Sequence, residues 1–206
     1  MFITKFSKAN CITFLSIIFG IIAIYFSVSY DFMVDEKYFK YALICLMCAG
    51  ICDMFDGKVA RACKRTEEDI NFGIQLDSMA DTVNFLCVPV VIMLSLGMNN
   101  IVDILAFITL IVCGISRLCY FNIIASKETV KYYTGLPVTT TAIFFPLIGL
   151  LYGIIDSNTL TTIYLIMTFL IAFLFVFKIR IQKLKGVAYI IVPVLALALL
   201  WLLLAL

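Results

Sequence analysis

The chain holds 206 residues, 64% of them hydrophobic and 14% charged, with a formal net charge of +2 and a mean hydropathy of +1.14. That apolar share lies far above the roughly 45–50% of ordinary soluble domains, which excludes a water-soluble fold, and so small a charge with no gathered basic face excludes a nucleic-acid binder. The absence of His removes imidazole as metal ligand, general base or pH switch.

Apolar runs between polar breaks predict spanning helices near 9–30, 38–57, 72–97, 101–125, 136–154, 159–178 and 187–206. Each is close to the ~20 residues that cross ~30 Å of hydrocarbon as helix. The fold class is an all-α, polytopic membrane helix bundle of about seven helices, within a range of six to eight, forming a single domain over residues 1–206. The first run follows Lys5 and Lys8 and shows no small-x-small cleavage site, so it reads as a retained span. Cys45, Cys48 and Cys52 in the second run read as packing residues. Lys58, Arg61, Lys64 and Arg65 follow the second run, Lys127 and Lys131 the fourth, and Lys178, Arg180, Lys183 and Lys185 the sixth. These loops and the N-terminus are expected in the cytoplasm. Pro137 is expected to open the fifth helix, and Pro193 to break the last run or leave it partly inserted.

Chemistry concentrates between Asp53 and Asp81, in DMFDGKVARACKRTEEDINFGIQLDSMAD. Asp53 and Asp56 are three residues apart and Asp77 and Asp81 four apart, so each pair projects from one helical face. Antiparallel helices around the short basic loop bring both pairs to a similar depth below the cytoplasmic surface. A carboxylate there costs about 2.5–3.5 kcal/mol on insertion scales, and four together repel, so they need a compensating cation. All-oxygen ligands select Mg²⁺, Mn²⁺ or Ca²⁺, and two such ions could clamp a phosphate or pyrophosphate. Gly57, Ala60 and Gly73 keep bulk low where a ligand or helix approaches, and Arg61 can fork onto phosphate oxygens. Helix capping or a small-residue seam would explain these residues singly, but neither needs four carboxylates set as two pairs. Glu67, Glu68 and Asp69 read as a solvated turn.

In these residues the chain resembles the CDP-alcohol phosphotransferase family. Its signature, D-x-x-D-G-x-x-A-R, a spacer, then G-x-x-x-D-x-x-x-D, is filled in order by Asp53, Asp56, Gly57, Ala60, Arg61, Gly73, Asp77 and Asp81. The spacer, Ala62 to Phe72, is longer than the family's usual one, and the additional residues fall in the hydrophilic loop. The resemblance implies cleavage of the pyrophosphate of a CDP-linked donor, transfer of a phosphatidyl or similar group to an alcohol, and release of CMP. It implies that Asp53, Asp56 and Asp77 hold two Mg²⁺ or Mn²⁺ ions, with Ca²⁺ as an alternative. Asp81, near the second metal, would serve as ligand and general base. Asn10, Thr13, Asp53, Gly57, Ala60, Arg61 and Gly73 would bind CDP and its phosphates. A homodimer in the cell membrane, its active site facing the cytoplasm, is implied as well.

Three further stretches, FGIQLDSMADTVNF, RLCYFN from Arg117 to Asn122, and Gly135-Leu136-Pro137, are similar to the phosphatidylserine synthase branch of that family. Asn10 and Thr13 match its N-terminal Pro-Asn-x-x-Thr, with Ala9 in place of proline. The resemblance covers about two-thirds of the chain and fades after about residue 146. It implies CDP-diacylglycerol and L-serine as substrates. Serine brings a carboxylate and an ammonium to an already anionic donor, so the acceptor pocket wants a cation. Arg117 can supply it, with Asn84 and Asn122 as neutral partners, unless it only snorkels to lipid head groups. Glycerol phosphate or inositol phosphate as acceptor, and an ether lipid as donor, stay open within the family. A small cation transporter is the rival from another class, because intramembrane Asp pairs also mark ion pathways. Its acids would be expected in both halves of the chain rather than in one hairpin.

Overall fold

Thr13, Ser16, Gly20, Ala23 and Ser27 recur at alternating steps of three and four residues, a stripe of small side chains that lets a helix lie close to its neighbours. In the computed structural model, which describes residues 8–29, 31, 35–125, 132–182 and 188–205, these five form the buried face of α1 (Cys11–Ser29). Among the described residues, six further helices follow: α2 (Glu36–Ala62), α3 (Glu67–Ser95), α4 (Ile101–Ala125), α5 (Val138–Gly149), α6 (Ser157–Val176) and α7 (Ala188–Ala205). They stand where the seven apolar runs are predicted. Among the described residues, α1, α3, α4 and α6 are each long and apolar enough to cross a membrane. Ile104, Leu105, Ile108 and Val112 of α4 and Ile166, Leu170 and Phe173 of α6 face outward, as lipid-bathed surfaces do. Lys5, Lys127, Lys131, Lys183 and Lys185, on which the expected orientation partly rests, lie outside the described residues.

The core forms around α2, which packs against α1 on one side and α5 and α7 on the other. Phe39, Leu43, Leu46 and Met47 of α2 meet Phe85, Leu86, Ile92 and Met93 of α3, Phe145 of α5 and Tyr164 of α6 in one buried cluster. At 27 residues α2 spans about 40 Å, more than the ~30 Å hydrocarbon layer. It continues past the predicted end at 57 because the polar stretch up to Ala62 is still helical. α5 is too short to cross alone, and the chain turns after it, with Gly153 at φ +80°. α7 is continuous through position 193, so Pro193 does not break it. Pro137 caps the 3-10 turn Val138–Thr140 that opens α5.

Two departures from expectation bear on the site. Glu67, Glu68 and Asp69 are not a solvated turn but the first turn of α3. Thr66 Oγ1 accepts from the Asp69 N–H (3.2 Å), and the Asp69 carboxylate accepts from the Thr66 N–H (3.0 Å). This reciprocal cap starts the helix early, with acids at the positive end of its dipole. The second departure is a π-helical turn, Thr82–Cys87, directly after Asp81. Pro89 explains it: a proline ring clashes with the carbonyl four residues back, here that of Phe85, and lacks the N–H to bond it. Phe85 O is instead met by the Thr141 hydroxyl of α5 at 3.0 Å.

One short antiparallel pairing, β1 (Tyr132–Thr134) with β2 (Arg180–Gln182), joins the segments that follow α4 and α6. Beside it, Gly135 adopts φ +79° and donates its N–H to Ile179 O at 2.9 Å. A Cβ there would run into the Phe175 carbonyl. Gly135→Ala is therefore expected to destabilise the protein by about 1–3 kcal/mol, read as a lowered midpoint of unfolding in detergent.

Candidate metal and phosphate site

Asp53 and Asp56 lie on the last turns of α2, and Asp77 and Asp81 on the first half of α3. The two helices touch mainly through the π turn, so beside the acid pairs their backbones stand apart and the carboxylates span the space. One oxygen each from Asp53, Asp56 and Asp77 lies within 4.8 Å of the other two. Asp81 stands outside that trio, its side chain against Asp53, while Asp77 lies against Asp56. The predicted convergence of four acids is present. Asp56 and Asp81 are each only 8% exposed.

At 4.8 Å and an effective dielectric of about 20, each ionised pair repels by ~3.5 kcal/mol. Protein groups offset little of this for Asp77, whose buried Oδ1 has no hydrogen-bond partner. An orphaned buried carboxylate oxygen beside two more carboxylates fits a hard divalent cation and leaves no donor for a soft one.

Around this centre α1 contributes the next contacts. Thr13 Oγ1 donates to Asp56 Oδ2 at 3.0 Å. Asn10, 4% exposed, reaches toward α3, and a Cβ on Gly73 would sit 3.5 Å from its Oδ1. Gly57 lies under the Arg61 guanidinium, where a Cβ would come 3.3 Å from Nη1. The exposed Arg61 exerts its charge on Asp56, and Ala60 beside it is half-buried.

The predicted acceptor residues separate. Arg117 of α4 is 7% exposed, stacks its guanidinium 5.2 Å over the Phe121 ring and projects its charge onto Asp53 and Asp81. It faces the acids rather than lipid head groups. Asn122 Nδ2 donates to Ser78 Oγ at 2.7 Å, next to Asp77. Asn84 is fully buried on the other side of α3, where its Nδ2 donates to Ser16 Oγ of α1 at 3.2 Å. Sequence reasoning did not single out Ser16 or Ser78. Ser78 lies within the LDSMAD stretch, and Ser16 is legible only as one of the small-residue stripe.

A divalent cation bound to this cluster must stabilise the fold by mass action, by about 2.7 kcal/mol at a hundredfold excess over Kd. Mg²⁺ or Mn²⁺ is expected to raise the unfolding midpoint of the purified protein, and Asp77→Asn to remove most of that rise, as followed by thermal unfolding in detergent.

Comparison with known proteins bears on the same residues. The family model described as CDP-alcohol phosphatidyltransferase matches residues 6–177, well past residue 146, where the motif resemblance fades. The chain is 35% identical over 100 residues to the CDP-diacylglycerol–serine O-phosphatidyltransferase of Saccharomyces cerevisiae, covering 45% of this chain and 35% of that protein. It is 34% identical over 104 residues to the archaetidylserine synthase of Methanothermobacter thermautotrophicus, covering 50% and 43%. With the CDP-diacylglycerol–serine O-phosphatidyltransferase of Helicobacter pylori it shares 29% over 185 residues, covering 87% of this chain and 73% of the relative. The matched stretch thus spans less than half the length of the first two relatives and nearly three-quarters of the third.

Proposed function

The chain belongs to the CDP-alcohol phosphatidyltransferase family, and from that membership we propose that it transfers the phosphatidyl group of CDP-diacylglycerol to L-serine, giving phosphatidylserine and CMP. The observation that carries this reading is the buried Arg117 beside the four converging carboxylates, a cation placed where a serine carboxylate can be held against an anionic donor. All three relatives described above carry phosphatidyl transfer to serine or archaetidylserine synthesis in their names.

Asp53, Asp56 and Asp77, with Asp81 beside them, would hold two divalent cations, Mg²⁺ or Mn²⁺. Bound there, the ions would neutralise the donor pyrophosphate and lower the pKa of the attacking hydroxyl. Asn10, Thr13, Gly57, Ala60, Arg61 and Gly73 form the nucleotide side, where low bulk at 57, 60 and 73 lets the pyrophosphate approach backbone and the Arg61 fork meets its oxygens. Arg117 pairs with the serine carboxylate, and Asn122 with Ser78 lines the same side. Asp81 accepts the serine hydroxyl proton as its oxygen bonds to the diacylglycerol-linked phosphorus. The bond from that phosphorus to the bridging oxygen of the pyrophosphate breaks, and CMP leaves with the electron pair. The reading places one catalytic unit in the cell membrane as a homodimer, its acid cluster toward the cytoplasm. The basic Lys58, Arg61, Lys64 and Arg65 at that end support the orientation.

Asp81→Asn is expected to lower kcat by about 10²- to 10⁴-fold while donor binding is largely kept, measured with labelled CDP-diacylglycerol in mixed micelles. Excess EDTA should abolish turnover, and Mg²⁺ or Mn²⁺ restore it. An acceptor screen under the same conditions should show label entering phosphatidylserine with serine alone. Incorporation of glycerol phosphate or inositol phosphate instead would overturn the acceptor assignment. Arg117→Lys should raise the serine KM roughly 10- to 100-fold with less effect on the donor.

A further inference from the structure

Asn84 has no place in the acceptor pocket and is an unfavourable residue where it stands. It is fully buried in the π turn, its Oδ1 has no hydrogen-bond partner, and that oxygen lies so close over α1 that any side chain at Gly20 would clash with it. A leucine would fill the same space without stranding an acceptor. What Asn84 supplies is its donor: Nδ2 gives a hydrogen bond to Ser16 Oγ at 3.2 Å. With its oxygen accepting from Asn84, Ser16 is directed to donate its own proton to the Thr13 carbonyl at 2.8 Å. Thr13 in turn donates Oγ1–H to Asp56 Oδ2 at 3.0 Å. The donors all point one way along α1, from the π turn to the carboxylate.

We infer that Asn84 and Ser16 are positioning residues, a buried polar relay that fixes the first turn of α1 so that Thr13 holds the Asp56 carboxylate in its cation-binding orientation. The inference rests on the reading of the acid cluster as a cation site. Partners that orient a ligand from behind are worth about tenfold or more in metal affinity. Gly20 belongs to the same device, since the missing side chain is what lets Asn84 reach Ser16.

The test is a titration of the full-length protein in detergent with Mn²⁺ alone, and again with CMP present, reading free Mn²⁺ by electron paramagnetic resonance. Ser16→Ala removes one oxygen and Asn84→Leu the donor. Both are expected to weaken Mn²⁺ binding about tenfold, and the double variant to do no more than the weaker-binding single, because the two act in series. Tyr164→Phe, which removes an equally buried bond from α6 to Phe145 O of α5, away from the π turn, is the stability control and should lower the unfolding midpoint with Mn²⁺ affinity unchanged. Wild-type affinity in Ser16→Ala would overturn the relay, as would an equal loss in Tyr164→Phe. Failure of the wild type to bind Mn²⁺ would remove the cation site itself, and the relay with it. Should Asn84→Leu fail to fold, Ser16→Ala decides the matter alone.

Discussion

Carboxylates that crowd within 4.8 Å of one another do not stay together by themselves. Their repulsion in a partly desolvated setting must be opposed by cations in front and by rigid backbone behind, and much of this architecture can be understood as that backing. α2 carries Asp53 and Asp56 on its last turns while its first turns stay locked in the core through Phe39 and Leu43. α3 is anchored at its start by the Thr66–Asp69 cap, and α1 closes the third side through Thr13. The acids meet in the space these three helices enclose.

The acid pairs were legible because helical spacing alone puts Asp53 with Asp56 and Asp77 with Asp81, and the short basic loop forces the two pairs to one end. The seven apolar runs were legible for an equally simple reason, since length and hydropathy decide what can lie in lipid. Boundaries were less so. Residues 58–62 and 67–69 read as polar loop, yet both are helix, because polarity marks where the membrane ends and not where hydrogen bonding does. Asn84, expected as a neutral partner of Arg117, lies in the π turn and donates instead to Ser16 of α1. Pro89 was the available signal, and Thr141 the residue that completes it.

Arg117 illustrates what burial adds to sequence. As a letter in an apolar run it fits both a snorkelling anchor and a ligand to an anion. At 7% exposure, stacked on Phe121 and exerting its charge on Asp53 and Asp81, it is part of the electrostatics of the acid cluster. A buried guanidinium beside four carboxylates offsets part of the negative charge they would otherwise concentrate there.

The widened turn in α3 also acts as a phase shifter. One additional residue in a helix rotates everything beyond it by about 100°, so the half carrying Asp77 and Asp81 and the half carrying Ile92 and Met93 follow two different registers of the same rod. One continuous rod can thereby aim its polar residues at the cleft and its apolar residues at the core along directions that a uniform α-helix would not combine.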